Sequence, residues 1–533
     1  MRRRSTYITH PSRAVNPADI QVYKNQLLLG ALKAAREERL TLGLQELPQE
    51  VVEVLKESHE LHVRWAPEHP YNTTVPFLSR ISPGLHVQYT PLKEKQPGHL
   101  CDLIHKVFGQ NLRCESPQST FTSPPLISER FAQTASLQYY SLLSSLRPLA
   151  AYLQRNVCTP SDLVCLHTAT LLNIADSVDL DYDSISHTLT LTVMWSRQPD
   201  IIYDPIGEFT TLDAWNLDIE QKGSDKVEVG ILSPGPGLEP SDLQLSGFLT
   251  VVGEDDHPKA TLFSFPSRHH ALSRDQAKQQ RYNVSFDKPT GLHPILRISF
   301  PSANLLTEPE NKPSGSVCAL QTYLTLPSHI FADKYAFLSN DPLFQKSHNL
   351  GQLRSIIGET DLEAPDYVVK KWGSTVLLEL QTPNSTVTNH KGSVDGPWDV
   401  TVPLHLRYLE PKAGGTSEIE VPWPIVFWAC TAEDGTKFPV NPFDRTQLGY
   451  DGLFGPRTMF YHLNPAPQNG MMVERIAVPV LDTDTASPTT IEYLTVVSIA
   501  LGFLWVLFKL RSAFRPASMN VEGKSSDVGK KKQ

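Results

Sequence analysis

Strict alternation of apolar and polar residues is the most repeated pattern in this chain. Residues 187–195 read His-Thr-Leu-Thr-Leu-Thr-Val-Met-Trp, so Leu189, Leu191, Val193 and Trp195 share one face and Thr188, Thr190 and Thr192 the other. Leu296, Ile298 and Phe300 alternate with Arg297 and Ser299, and Cys318, Leu320, Leu324 and Leu326 share a face of the next strand. Val400, Val402, Leu404, Leu406 and Tyr408 occupy one face of another; Thr401, Pro403, His405 and Arg407 occupy the opposite one. Pro403 has no N–H for a ladder, which predicts an edge strand or a bulge there. Two stretches depart from this period. Leu27, Leu28, Leu32 and Ala35 recur at helical spacing, so residues 18–58 are predicted mostly helical, with Pro48 opening a second short helix that carries Val51, Val52 and Leu55. Residues 132–174 are predicted to hold a further helical stretch around Leu142, Leu143 and Leu146.

A different pattern closes the chain. Ile491 to Phe508 is a largely apolar run whose one charged residue is Glu492, near its start. At ~1.5 Å per residue it reaches ~27 Å, enough for a thin bilayer. Tyr493 and Trp505 suit the two interfaces. Asp482, Asp484 and Glu492 precede or open the run; Lys509, Arg511 and Arg515 follow it. The positive-inside rule then places the C-terminus in the cytosol and the bulk of the chain on the other side. Lys530 and Lys531, the fourth and third residues from the end, resemble a dilysine retrieval signal of endoplasmic-reticulum membrane proteins, which is read on a cytosolic tail. Two features pull the other way. The start, Met1-Arg2-Arg3-Arg4, has the charge of a signal peptide without its apolar core. A span this close to the end also fits a tail anchor with a cytosolic bulk.

These patterns predict a mainly β protein. Antiparallel, sandwich-like domains would carry some N-terminal helix and one C-terminal transmembrane helix. The expected organisation is an N-terminal α+β region over 1–266, a polar linker or exposed arm over 267–282, a β-rich domain over 283–481, a stem over 482–490, the span over 491–508 and a tail over 509–533. The Ser-Pro-Gly-Pro-Gly-Leu-Glu-Pro-Ser stretch at 233–241 is predicted as a turn-rich connector. The formal charge of −9, with both signs dispersed, excludes a nucleic-acid surface. Six cysteines, four before residue 270 and two after, fit oxidised pairs in a lumenal compartment and buried free thiols equally well. Acceptor sequons begin at Asn72, Asn283 and Asn384; three is near chance, so they permit a lumenal domain without requiring one.

Motifs that carry chemistry are scarce. Asp179-Leu180-Asp181-Tyr182-Asp183 and Asp482-Thr483-Asp484 match the D-x-D pattern of metal- and sugar-nucleotide-binding transferases. The first is expected in a solvated turn and the second in the stem. His269 and His270 are adjacent and flanked by polar residues, which fits a solvated linker better than a metal site. No hydrolase elbow, zinc-protease or phosphate-binding loop motif is present. No catalytic residue, cofactor or metal is therefore expected. His405 and Arg407 form a polar face beside Pro403, which reads either as a patch offered to a partner or as an ordinary solvated face.

Several stretches resemble the PIG-X family, whose fungal members are the protease-B-nonderepressible proteins. They are Gly291-Leu292-His293-Pro294, Leu326 to Tyr335, Asp361 to Pro365, Val402 to Pro411, and Pro422 to Cys430, in an order that the stem and span complete. Ala35 to Thr41 and Glu46-Leu47-Pro48 resemble the longer N-terminal region of fungal members. The resemblance implies a non-catalytic subunit of GPI mannosyltransferase I in the endoplasmic-reticulum membrane. Its partner would be a multi-spanning PIG-M-type catalytic subunit that adds the first mannose to the glycosylphosphatidylinositol precursor. It implies a lumenal bulk, and no catalytic residues to transfer. His405, Arg407 and Tyr408 are then the expected partner contact. The rival expectations are a general lumenal chaperone with several clients and a D-x-D glycosyltransferase.

Overall fold

The computed structural model describes residues 1–513 apart from 14, 94–98, 125–136, 197–201, 204–208, 211–213, 238–241, 339–340, 384–395, 433–440 and 486. It is mainly β, as the alternation predicts. One unit comprises Met1–Leu409 with Glu418–Val478; a second comprises Glu410–Ser417 with Pro479 onwards.

A ten-stranded sheet forms the N-terminal half of the first unit. Its order is Lys259–Pro266, Asp242–Val252, Lys226–Gly235, Arg2–Thr9, Ala34–Gly43, Thr188–Trp195, Ser177–Asp183, Ser58–Ala66, Gly84–Pro91 and Leu137–Ser141. Neighbours run antiparallel except Arg2–Thr9 beside Lys226–Gly235, which are parallel. The basic start of the chain is thus an inner strand. Its arginines meet acids across the sheet: Arg2 reaches Glu228, Arg3 reaches Glu38 and Arg4 reaches Glu37. Short helices Gln49–Glu57, Leu100–Phe108, Arg147–Asn156 and Leu163–Leu171 contribute to the same apolar core as the sheet, through Leu55, Ile104, Leu149 and the half-buried Leu171.

The helical expectation for 18–58 is corrected. Gln21–Tyr23, Gln26–Leu32 and Ala34–Gly43 are strands, and only Gln49–Glu57 is an α-helix. Ala34 to Leu40 is rich in good helix formers. Pairing on both sides, with Arg2–Thr9 and Thr188–Trp195, overrides that local preference. The buried charges are satisfied within and across strands: Glu38 meets Arg36 of its own strand at 2.9 Å and Arg3 of the neighbouring one, and Arg36 lies 4.8 Å from the Trp215 ring and 5.2 Å from Trp195. In the 132–174 stretch, Leu146 precedes the helix Arg147–Asn156, while Leu137–Ser141 is a strand. The expected connector at 233–241 begins inside the strand Lys226–Gly235.

The C-terminal half is a sandwich. A six-stranded sheet orders His269–His270, Thr458–His462, Ile425–Thr431, Val317–Pro327, Gly373–Leu380 and Leu350–Gly358. A four-stranded sheet orders Trp398–Pro403, Ile295–Phe300, Arg281–Phe286 and Asn464–Pro465. Leu296, Ile298, Phe300, Val400 and Val402 share a core with Leu324, Leu326, Val376, Leu378 and Trp428. The strand ending in Pro403 lies at the edge of its sheet, as its missing donor requires.

The other face of the six-stranded sheet is covered too. Tyr323, Leu377, Phe427 and Phe460 pack with Tyr450 and with Ala66 and Ile81 of the N-terminal half. Backbone bonds cross the same seam: Trp372 N donates to Thr120 O at 3.0 Å and Met472 N to Glu68 O at 2.6 Å. Trp372 Nε1 donates to Gln138 O at 2.8 Å. Burial on both faces explains the continuous apolar run of Ile425–Cys430, all buried. The linker expected at 267–282 is therefore not one. It contains a buried strand, the capped helix Arg274–Gln279 and the start of the strand Arg281–Phe286.

All six cysteines are paired: Cys101–Cys114, Cys158–Cys165 and Cys318–Cys430, the last bridging adjacent strands. The second unit contains the helix Pro488–Ala513, 26 residues long and longer than the apolar run at both ends. Its segment Thr489–Ala513 has mean hydropathy 2.0 and is long and apolar enough to cross a membrane. Thr495 and Ser498 return their hydroxyls to Ile491 O and Leu494 O, which satisfies them without water.

Candidate functional site

Asp179, Asp181 and Asp183 lie along one face of the strand Ser177–Asp183, with Val178, Leu180 and Tyr182 opposite. The solvated turn expected for the first two is corrected: Asp179 is 3% exposed and sits in a charged cleft. Glu37, Arg39, Arg64, Asp181, Asp444 and Arg445 supply its other charged groups, beside aromatic Tyr71, Phe77 and Phe443. Arg445 donates to Asp179 Oδ1 from Nη2 at 2.7 Å and Nε at 3.1 Å, and Arg64 Nε stands 3.6 Å away. His62 Nδ1 lies 2.7 Å from Asp181 Oδ1, which also accepts from Arg64 Nη2. Burial by itself would raise the Asp181 carboxyl, but the Arg64 charge and the bonds from His62 and Arg64 hold it well below the usual range. Asp183 caps its hairpin turn by accepting from Ile185 N at 2.9 Å. Two of the three carboxylates are thus engaged by guanidinium groups. Asp179 is bound by Arg445 from the loop before the helical turn Asp451–Leu453, so the cluster ties the two halves of the unit together. The alternation of His62 and Arg64 against Leu61, Val63 and Trp65 was the sequence signal for the second partner; Arg445 sits in a loop and left none.

Next to this cleft lies a buried histidine pair. His269 and His270 are 2% and 4% exposed, which corrects the solvated reading. His269 Nδ1 is 3.1 Å from His462 Nε2, and His270 Nε2 is 2.7 Å from Ser267 O. Burial pushes His270 down to about 4 and His462 to about 3. Asp444 is pushed up to about 7 by burial against the bonds it accepts. Among the described residues no group of His, Cys, Asp or Glu is arranged to hold a metal ion.

The expected partner contact divides into three different environments. Arg407 is 2% exposed. Its Nε donates to Ser328 O at 3.0 Å and Nη1 to Ala364 O at 2.8 Å and to Asp361 O, while its guanidinium lies 4.2 Å from the Phe331 ring. It clamps the loop after Gly358 against the sandwich and is not free to meet a partner through its charge. His405 is half-buried, its ring 4.7 Å from that of His293; burial, then the neighbouring His293, lowers its pKa. Tyr408, expected on the buried face, is 68% exposed, because the strand pairing stops at Leu406.

Of the acceptor asparagines, Asn72 is exposed in a loop and Asn283 is half-buried in the strand Arg281–Phe286. Asn384, Lys530 and Lys531 lie outside the described residues. Asp482 and Asp484 fall in the stem, where Asp482 Oδ1 accepts from Gly414 N at 3.1 Å and Asp484 N at 2.9 Å.

Comparison with known proteins places this arrangement. Residues 289–511 match the PIG-X / PBN1 family. Protein pbn1 of Emericella nidulans is 47% identical, over 98% of this chain and 99% of the relative. Protein pbn1 of Aspergillus fumigatus is 47% identical, over 96% of this chain and 95% of its own. Protein PBN1 of Saccharomyces cerevisiae is 27% identical, over 60% of this chain and 68% of its own. The chain belongs to the PIG-X / PBN1 family.

Proposed function

We propose that this chain acts in GPI-anchor biosynthesis as a single-pass protein of the endoplasmic-reticulum membrane. In this reading it is the non-catalytic subunit that stabilises the mannosyltransferase adding the first mannose. Family membership over the full length carries the reading. One helix among the described residues is long and apolar enough to cross a membrane, and its C-terminal end carries Lys509 and Arg511, which supports an anchor with its basic side in the cytosol. Three disulfides support an oxidising compartment for the body. The exposed sequon at Asn72 supports the same side. Engagement of Asp179 and Asp181 by Arg445 and Arg64 supports a role other than D-x-D catalysis.

The physical mechanism is linkage. A protein that binds the folded catalytic subunit and not its unfolded form shifts the folding equilibrium by mass action. Affinity purification of the tagged full chain from mild detergent tests the partnership. A multi-spanning mannosyltransferase should accompany it in comparable amount. Recovery of many unrelated membrane proteins instead would favour a general chaperone and overturn this assignment.

A further inference from the structure

A buried arginine holds an exposed apolar patch together. Arg407 clamps the loop carrying Leu362, Tyr367 and Val368, and Asp366 N donates to Tyr408 O at 3.0 Å. Asp366 is itself fixed, accepting from Arg113 at 2.9 Å and from Ser328 Oγ at 2.5 Å. The result is a rigid platform on which Leu362, Tyr367, Val368 and Tyr408 are 47%, 58%, 60% and 68% exposed. A soluble surface rarely fixes such groups side by side without use.

Chain connectivity says what lies nearby. Four residues after Tyr408, Lys412 N donates to Leu481 O at 3.1 Å, and Val480 N donates to Gly415 O at 3.0 Å. Leu481 is seven residues before the helix begins at Pro488. Even fully extended, these two tethers sum to roughly 40 Å. Tyr408 is therefore tethered, by no more than roughly 40 Å of chain, to the start of the membrane helix. The charges at the patch are mixed, with Asp361 and Glu363 exposed on one side and Lys370 on the other. That composition suits neutral headgroups and lacks the lysine and arginine cluster that anionic lipid requires.

We infer that Leu362, Tyr367, Val368 and Tyr408 seat the body on the interface of the bilayer its own helix crosses, with the tyrosines at headgroup level. Tyrosine is suited to that position, with an apolar ring and a wet hydroxyl. The inference rests on the membrane-anchored reading above.

The six cysteines form three disulfides, so a single introduced cysteine is a unique label site. The test places a fluorophore at Val368→Cys, Tyr408→Cys, Ile185→Cys or Leu501→Cys in the full chain. Each variant is reconstituted alone in phosphatidylcholine–phosphatidylethanolamine vesicles carrying nitroxide lipids. All four positions are exposed or on the helix surface, and an unchanged unfolding midpoint checks each fold. Labels at 368 and 408 should be quenched by headgroup and shallow nitroxides, at a depth of about 5–10 Å. The label at 185 should be unaffected, and the label at 501 should respond to deep nitroxides. Quenching at 501 without quenching at 368 and 408 overturns the inference and leaves the anchor standing. Absence of quenching at 501 overturns the anchor itself. Unquenched 368 and 408 labels that photocrosslink to protein in native membranes would reassign the patch to a protein partner.

Discussion

Replacing Arg445 by methionine should weaken the whole first unit, although the residue sits in a loop. The side chain of Asp179 is 4% exposed, and among the described residues Arg445 supplies both hydrogen bonds to its carboxylate. Arg445→Met keeps most of the packing but strands a buried carboxylate. Removing one partner of a buried pair costs about 3–5 kcal/mol. Arg64 remains 3.6 Å from the same oxygen, which places the expectation at the lower end, about 3 kcal/mol. Asp179→Asn should cost a similar amount, and the double variant should cost less than the sum by about 2 kcal/mol, the coupling of the pair. The assay is denaturant unfolding of the full chain in nanodiscs, followed through tryptophans in both halves, Trp195 and Trp428 among them. One coincident transition is expected, because the seam buries apolar surface and carries backbone bonds. A coupling below about 0.5 kcal/mol, or two separate transitions in the unsubstituted protein, would refute the reasoning.

Three other outcomes follow from the same structure. Acid should destabilise the body: His86 and His270 are held near about 4 and His462 near about 3, so the unfolded chain binds more protons below its histidine pKa of ~6.5. Stability is then lost as pH falls from ~6.5 towards ~4, by up to about 3 kcal/mol per histidine. Asp444, raised to about 7, works oppositely over ~4 to ~7, but one carboxyl opposes the buried His270 and His462 and the half-buried His86, so the midpoint in a pH series should fall with acid. Arg407→Met should lower thermal stability by about 2–4 kcal/mol through lost bonds to buried carbonyls, whereas Tyr408→Ser should cost under about 0.5 kcal/mol. Cys318→Ala with Cys430→Ala should cost about 2–5 kcal/mol, read as a lower denaturation midpoint.

Much of the architecture was legible where burial follows one period. The strand Thr188–Trp195, the strand Ile295–Phe300 and the terminal apolar helix all sit where alternation or continuous hydrophobicity puts them. Legibility failed where tertiary pairing overruled local preference. Ala34 to Leu40 spells helix, yet arginines 3 and 4 neutralise its glutamates from the neighbouring strand. It failed again where polarity stood in for exposure. His269, His270, Asp179 and Arg407 are all polar and all buried, each because a partner distant in the chain satisfies it. The linker expected at 267–282 vanished for that reason. The apolar patch at 362–368 and Tyr408 was illegible because a loop brings it together and Arg407 holds it there.

The proposed role is to keep a membrane-embedded mannosyltransferase folded without doing chemistry on the substrate. Its most direct test is a degradation chase of the catalytic subunit in cells with and without this chain. The catalytic subunit should disappear markedly faster when the chain is missing, and recover when Asp179→Asn chain at restored levels is supplied. A catalytic subunit with the same lifetime in both cells would contradict it.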